Sequence, residues 1–120
     1  MRTLVADPEP SIRHALRVLL TQNLNVQVVG EATTALELVQ QVQKSHPDVI
    51  IADWALLTPD AGSALVHLSR LFPHVQIVVL SLRREVRQAA LAAGAHRFIS
   101  KSAAPAEVLA ALASLYGGTK

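Results

Sequence analysis

At 120 residues the chain has the length of one domain, and 51% apolar against 17% charged residues is the composition of a packed core, not of a disordered tail. Zero cysteines exclude a disulfide scaffold, a thiol nucleophile and a zinc–cysteine site, and fit a reducing cytoplasm. A net charge of +2, with one Trp, one Tyr and two Phe, argues against a nucleic-acid surface, and no apolar run reaches the roughly 20 residues of a spanning helix.

Short apolar runs alternate with longer amphipathic ones along the chain. TLVAD (3–7) reads as a short buried strand, and from Ser11 the positions Ile12, Ala15, Leu16, Leu19 and Leu20 recur at helical spacing. VQVVGEA (26–32) is a second strand. TALELVQQV follows it as a helix with Thr34 as N-cap and Glu37 three residues on, a capping box. DVIIAD (48–53) is a continuous β-branched run, as in a strand buried on both faces. SALVHLSRL (63–71) is helical and VQIVVLS (75–81) is another buried strand. REVRQAALAAG (84–94) is a helix ended by Gly94, and RFISK (97–101) is the fifth strand. PAEVLAALASLYG (105–117) is a fifth helix, with Pro105 in its first turn and Gly117 past its end.

Five strands alternating with five helices predict an α/β, doubly wound sheet of parallel strands, and the usual layout at this size is the flavodoxin-like order 2-1-3-4-5. In such sheets chemistry gathers at the carboxyl ends of the strands. There the sequence places Asp7, Asp53, Ser81 and Lys101, with Asp7 and Asp53 on neighbouring strands about 4.8 Å apart. Two acids with nearby backbone oxygens can hold Mg²⁺. A lysine can neutralise an oxyanion, a hydroxyl can bond a phosphoryl oxygen, and a carboxylate can act as a nucleophile toward phosphorus.

At these residues the chain resembles the receiver domain of two-component response regulators, over essentially residues 1–120. The carriers are LVAD…P with Arg13, PDVIIADW, VVLS, AAGAHRFISK and the helix from Pro105, and AAGAHRFISKS is closest to regulators with a C-terminal helix-turn-helix output domain. The resemblance implies a phosphoprotein of signal transduction, not an enzyme. Asp53 would accept the phosphoryl group of a histidine kinase with Mg²⁺ required, Ser81 would be the switch hydroxyl, Phe98 the switch aromatic and Lys101 the phosphate contact. Helix 4, strand 5 and helix 5 would form the output face toward an output domain, a partner protein or a second copy in a homodimer. The domain itself is expected to bind neither nucleic acid nor membrane.

Two features depart from the family pattern. Its second acid after strand 1 is Pro8 here, which has no side-chain oxygen, leaving Glu9 as the nearby substitute ligand. DWALLTPDAG puts Pro59 six residues after Asp53 and Gly62 nine after, a loop longer by one or two residues, which bears on the backbone carbonyl near Ala55 that the family uses as a metal ligand. These departures motivate an alternative, a pseudo-receiver acting as a phosphorylation-independent interaction module. Structural readings stand beside the functional ones: Asp7 as the cap of the first helix, Ser81 as the cap of the fourth, Phe98 as core, Lys101 as a solvated strand end, and Arg83, Arg84 and Arg87 as a solvated helix face. The five histidines show no metal-ligand spacing and read as surface residues.

Overall fold

Alternation of strand and helix, expected from the apolar runs, is what the computed structural model contains; it describes residues 1–57 and 60–116. The order is β1 (Arg2–Ala6), α1 (Pro10–Val18, continued by a wide π-type turn over Leu19–Asn23), β2 (Gln27–Ala32), α2 (Ala35–Ser45), β3 (Val49–Asp53), α3 (Ala61–Leu71), β4 (Gln76–Ser81), α4 (Arg87–Ala92), β5 (Arg97–Ser100) and α5 (Pro105–Tyr116). All strand pairings are parallel, and the sheet order is β2-β1-β3-β4-β5, as predicted.

The central strand explains the two-layer wrapping. All five residues of β3 are buried, and its side chains alternate between two cores with the period of a pleated strand. Ile50 and Ala52 join Leu4, Ile77 and Val79 under α2, α3 and α4, where Leu38, Val42, Leu65, Leu68 and Ala90 close the layer. Val49 and Ile51 join Val5, Val78, Leu80 and Ile99 under α1 and α5, closed by Leu16, Leu20, Leu112 and Leu115. Each large aliphatic side chain so buried contributes about 1.5–3 kcal/mol relative to exposure, which fixes the register of the strands that carry the site.

Local signals hold with instructive shifts. Thr34 caps α2, its hydroxyl accepting the Glu37 N–H at 3.1 Å, but the reciprocal arm of Glu37 takes the Thr33 N–H (2.7 Å) and hydroxyl (2.6 Å), one residue earlier than a capping box requires. Helix α3 starts at Ala61 because Asp60 caps it, accepting the Ser63 N–H. The expected helix 84–94 is a 3₁₀ turn (Arg84–Val86) followed by a short α4, ended by Gly94 at φ +121°, a conformation that favours glycine. Pro59 and Gly117 lie outside the described residues.

Candidate functional site

Strand ends deliver the four polar residues to one edge of the sheet. Asp53 is the last residue of β3, opposite Leu80 of β4, and Ser81 is the last residue of β4, opposite Ser100 of β5. Asp7 follows β1 directly, anchored to β2 by its N–H on the Ala32 carbonyl (3.0 Å), and Lys101 follows β5, anchored to β4 by its N–H on the Ser81 carbonyl (2.9 Å). Buried apolar strands thus carry their polar ends to one place, although Asp7, Asp53 and Ser81 are themselves almost fully removed from solvent.

A single ammonium joins the two acids. Lys101 Nζ lies 2.8 Å from Asp7 Oδ2 and 3.0 Å from Asp53 Oδ1. Apart from that ion pair, Asp7 Oδ2 is fully buried with no hydrogen-bond partner among the described residues, so the ammonium is its counter-charge. Burial pushes the Asp53 carboxyl above the usual carboxylate range, with the nearby Asp7 charge adding to the rise, while Lys101 and the Ala55 N–H pull against it without cancelling it. Burial works against the Lys101 charge, yet the two carboxylates outweigh it and hold the ammonium above its ordinary value.

The triad opens into a cavity of about 340 Å³ lined by Pro8, Glu9, Asp53, Trp54, Ala55, Ser81, Leu82, Arg83 and Lys101. Ser81 lines this space, and its hydroxyl accepts the Arg83 N–H at 3.0 Å, a turn bond two residues ahead, not the cap of α4 that the sequence leaves open. Asp7 also differs from its expected capping role. Helix α1 begins at Pro10 with Glu9 at the N-cap position, and the Asp7 carboxylate instead accepts the Glu9 N–H at 2.9 Å, closing an Asx turn around Pro8. A chain with two prolines two residues apart starts its helix at the second, so the first is free to stiffen the turn.

The possible metal-ligand atoms at this corner are all oxygens and include two carboxylates, a set of the kind Mg²⁺ prefers, with Lys101 already serving as the cation at Asp7 Oδ2. Proline at position 8 supplies nothing to that set. Glu9 is exposed at the rim of the cavity, and among the described residues no three His, Cys, Asp or Glu side chains converge. Phe98 stands apart from this pocket, half-buried on β5 where it packs against the α2–α4 core and lines a second hollow with Arg84, Arg87 and Glu107.

Sequence reading passed over three features. Arg13 and Arg17, one turn apart on α1, both engage Glu31 of β2, and Arg13 reaches further to the Asp7 carbonyl; the i, i+4 spacing was the available signal. Trp54 sits in the wall of the pocket. His96, exposed as expected, still accepts the Ile77 N–H on Nδ1 at 3.0 Å, tying the start of β5 to the start of β4.

The comparisons agree with this fold. The family model of the response regulator receiver domain matches residues 3–113. Transcriptional activator protein ExaE of Pseudomonas putida is 37% identical over 121 residues, covering 98% of this chain and 56% of that protein. The isolated REC domain of RcsB from Salmonella enterica serovar Typhimurium, solved with the phosphomimetic BeF3−, superposes with a TM-score of 0.89 at 28% identity, covering all of this chain and 91% of that one. RcsB of the same organism bound to promoter rprA gives 0.87 at 28% identity over 98% of this chain and 62% of that one. The chain spans about half the length of the curated relatives it matches. With five parallel strands in the flavodoxin-like order, two acids and a lysine at their carboxyl edge and a family match over nearly its whole length, the chain belongs to the response regulator receiver domains of two-component signalling.

Proposed function

We propose that Asp53 is the phosphoacceptor and that phosphorylation there controls the face formed by α4, β5 and α5. The observation that carries the reading is the Lys101 ammonium between Asp7 Oδ2 and Asp53 Oδ1, beside a cavity of about 340 Å³. A carboxylate oxygen of Asp53 attacks phosphorus, the bond from phosphorus to the imidazole nitrogen of a kinase phosphohistidine breaks, and the released imidazole recovers a proton from solvent. Lys101 is placed to follow the charge from the carboxylate to a phosphoryl oxygen, and the Ser81 hydroxyl, at the wall of the same cavity, to donate to another by giving up its turn bond with Arg83. Mg²⁺ would be held by Asp7 and Asp53 with the Ala55 backbone carbonyl and Glu9 at the rim, and would supply neutralisation of phosphoryl charge.

Movement of Ser81 toward the phosphoryl group would free space for Phe98, which is half-buried on the adjoining strand, and so alter the hollow lined by Arg84, Arg87 and Glu107. That hollow carries both charge signs and suits an output domain, a partner protein or a second copy of the chain. No helix among the described residues is long and apolar enough to cross a membrane, and a cytoplasmic location suits transfer from a histidine kinase. The phosphorylation-independent interaction module is the less favoured reading.

The test is incubation with Mg²⁺ and acetyl phosphate followed by intact mass. We expect one phosphoryl group added to the wild type and none to Asp53→Asn. An unchanged wild-type mass under conditions that label ordinary receivers would overturn the reading.

A further inference from the structure

Proline at position 8 creates a mechanical problem at Asp7. The Asp7–Pro8 peptide has no N–H, so its carbonyl is its one hydrogen-bonding group, and the orientation of that peptide sets where the chain brings the Glu9 N–H that holds Asp7 Oδ1. Arg13 takes this carbonyl, donating from Nη1 to Asp7 O at 2.7 Å. The same guanidinium donates from Nε to Glu31 at 2.9 Å, and Arg17 engages the other oxygen of that carboxylate. With its side chain 15% exposed and both edges engaged, Arg13 is a fixed strut between the ends of β1 and β2.

We propose that Arg13 is a positioning residue: by holding the Asp7 carbonyl it aims the Asp7 carboxylate at Lys101 and so sets the ammonium against Asp53. The chain of contacts is continuous. Arg13 fixes the peptide, the Asp7 side chain closes the turn onto the Glu9 N–H through Oδ1, and Oδ2 is left facing Lys101 Nζ. A point-charge role for Arg13 would be served by any cation at this place, whereas the strut needs a fork that spans a carbonyl and a carboxylate. The consequence for phosphorylation rests on Asp53 being the phosphoacceptor; the consequence for Asp7 does not.

The test uses the full chain with Arg13→Ala, Arg13→Lys and, as a control that leaves the Asp7 contact in place, Arg17→Ala. Backbone NMR reads the Asp7 and Glu9 amides against those of Leu4 and Ile51 in the same sample, and intact mass reads the initial rate of phosphorylation by acetyl phosphate with Mg²⁺. In Arg13→Ala we expect the Glu9 amide proton to lose the downfield shift of its carboxylate bond, and Asp7 exchange to rise roughly tenfold over that of Leu4 and Ile51. Phosphorylation should fall by about an order of magnitude, with Arg13→Lys intermediate and Arg17→Ala close to wild type. An unmoved Glu9 resonance, or a rise in exchange shared equally by Leu4 and Ile51, would overturn the proposal. If the wild type takes no phosphoryl group while the Asp7 and Glu9 signals respond as expected, the phosphoacceptor reading fails and the positioning role stands.

Discussion

Replacing Lys101 by Met removes the charge shared by two buried acids while keeping an unbranched side chain of similar length. At an effective dielectric of about 20, charges 2.8 and 3.0 Å apart attract by roughly 5–6 kcal/mol each, most of which is offset by removing the ions from water. The net effect of losing one partner of a buried pair is about 3–5 kcal/mol, because the charge left behind has no compensation. Here two carboxylates are left, one fully enclosed and the other 6% exposed, so the loss belongs in the upper part of that range. Asp53→Asn alone should be near neutral or slightly stabilising, since burial already disfavours its ionised form despite Lys101. In the Asp53→Asn background the carboxylate repulsion is gone, and Lys101→Met should cost about 1–3 kcal/mol less than in the wild type, a coupling normal for groups in direct contact. Urea unfolding followed by Trp54 fluorescence measures all four corners of the cycle; at roughly 1–3 kcal/mol per molar urea the single Lys101 substitution moves the midpoint by more than a molar unit. Equal costs in the two backgrounds, or a Lys101→Met cost below about 1 kcal/mol, would refute the shared-charge account.

Tyr116→Phe should cost about 1–3 kcal/mol, because the fully buried Thr3 hydroxyl bonds the Tyr116 phenol at 2.6 Å and would be left unpaired; Thr3→Val with Tyr116→Phe should cost less than the two single changes together in urea unfolding. Burial raises the Tyr116 phenol above its ordinary value of 10.0, against the opposing hydrogen bond from Thr3. Above that ordinary value the unfolded chain releases a proton that the folded one keeps, so stability falls as pH rises through the window up to the raised value, and the fall should be shallower in Tyr116→Phe in alkaline denaturation scans. Gly94→Ala should lower stability by about 1–3 kcal/mol, since φ is +121° and an added Cβ would lie 3.0 Å from Ser69 Oγ; an unchanged thermal midpoint would show that the turn relaxes instead.

The fold was legible because its central strands, β1, β3 and β4, are buried on both faces. A run such as VIIAD has no polar side to hide, so a continuous β-branched stretch and a central parallel strand are the same observation. What escaped was decided by contacts distant in sequence. Thr3 reads as one more strand residue until α5 brings Tyr116 to it, 113 residues away. His46 reads as a surface histidine, yet it ends α2 in a left-handed conformation at φ 49°, a place where glycine or asparagine is the usual signal. His96 reads the same way, and its bond to the Ile77 N–H depends on a strand register that no local pattern reveals.

The site divides along the same line. Strand ends named Asp7, Asp53, Ser81 and Lys101, because strand termini can be placed from the apolar runs and parallel order makes them converge. Which of them touch could not be read that way: Asp7 and Asp53 meet through Lys101, while the Ser81 hydroxyl turns to the Arg83 N–H. Pro8 shows why. As a side chain it is a missing oxygen, and the sequence reads it as a loss to the acidic corner. As a backbone element it removes an N–H, moves the start of α1 to Pro10 and leaves the Asp7 carbonyl to Arg13. The Glu9 N–H closes this turn on Asp7, while Glu9 itself is exposed at the rim of the cavity. The proline thus exchanges one acidic ligand for a stiffer mount beneath the acid that remains. A Pro8→Asp variant should therefore tighten Mg²⁺ binding, read by Trp54 emission, while loosening the Glu9 turn; tightening without any change at the Glu9 amide would show that the acid alone matters and the mount does not.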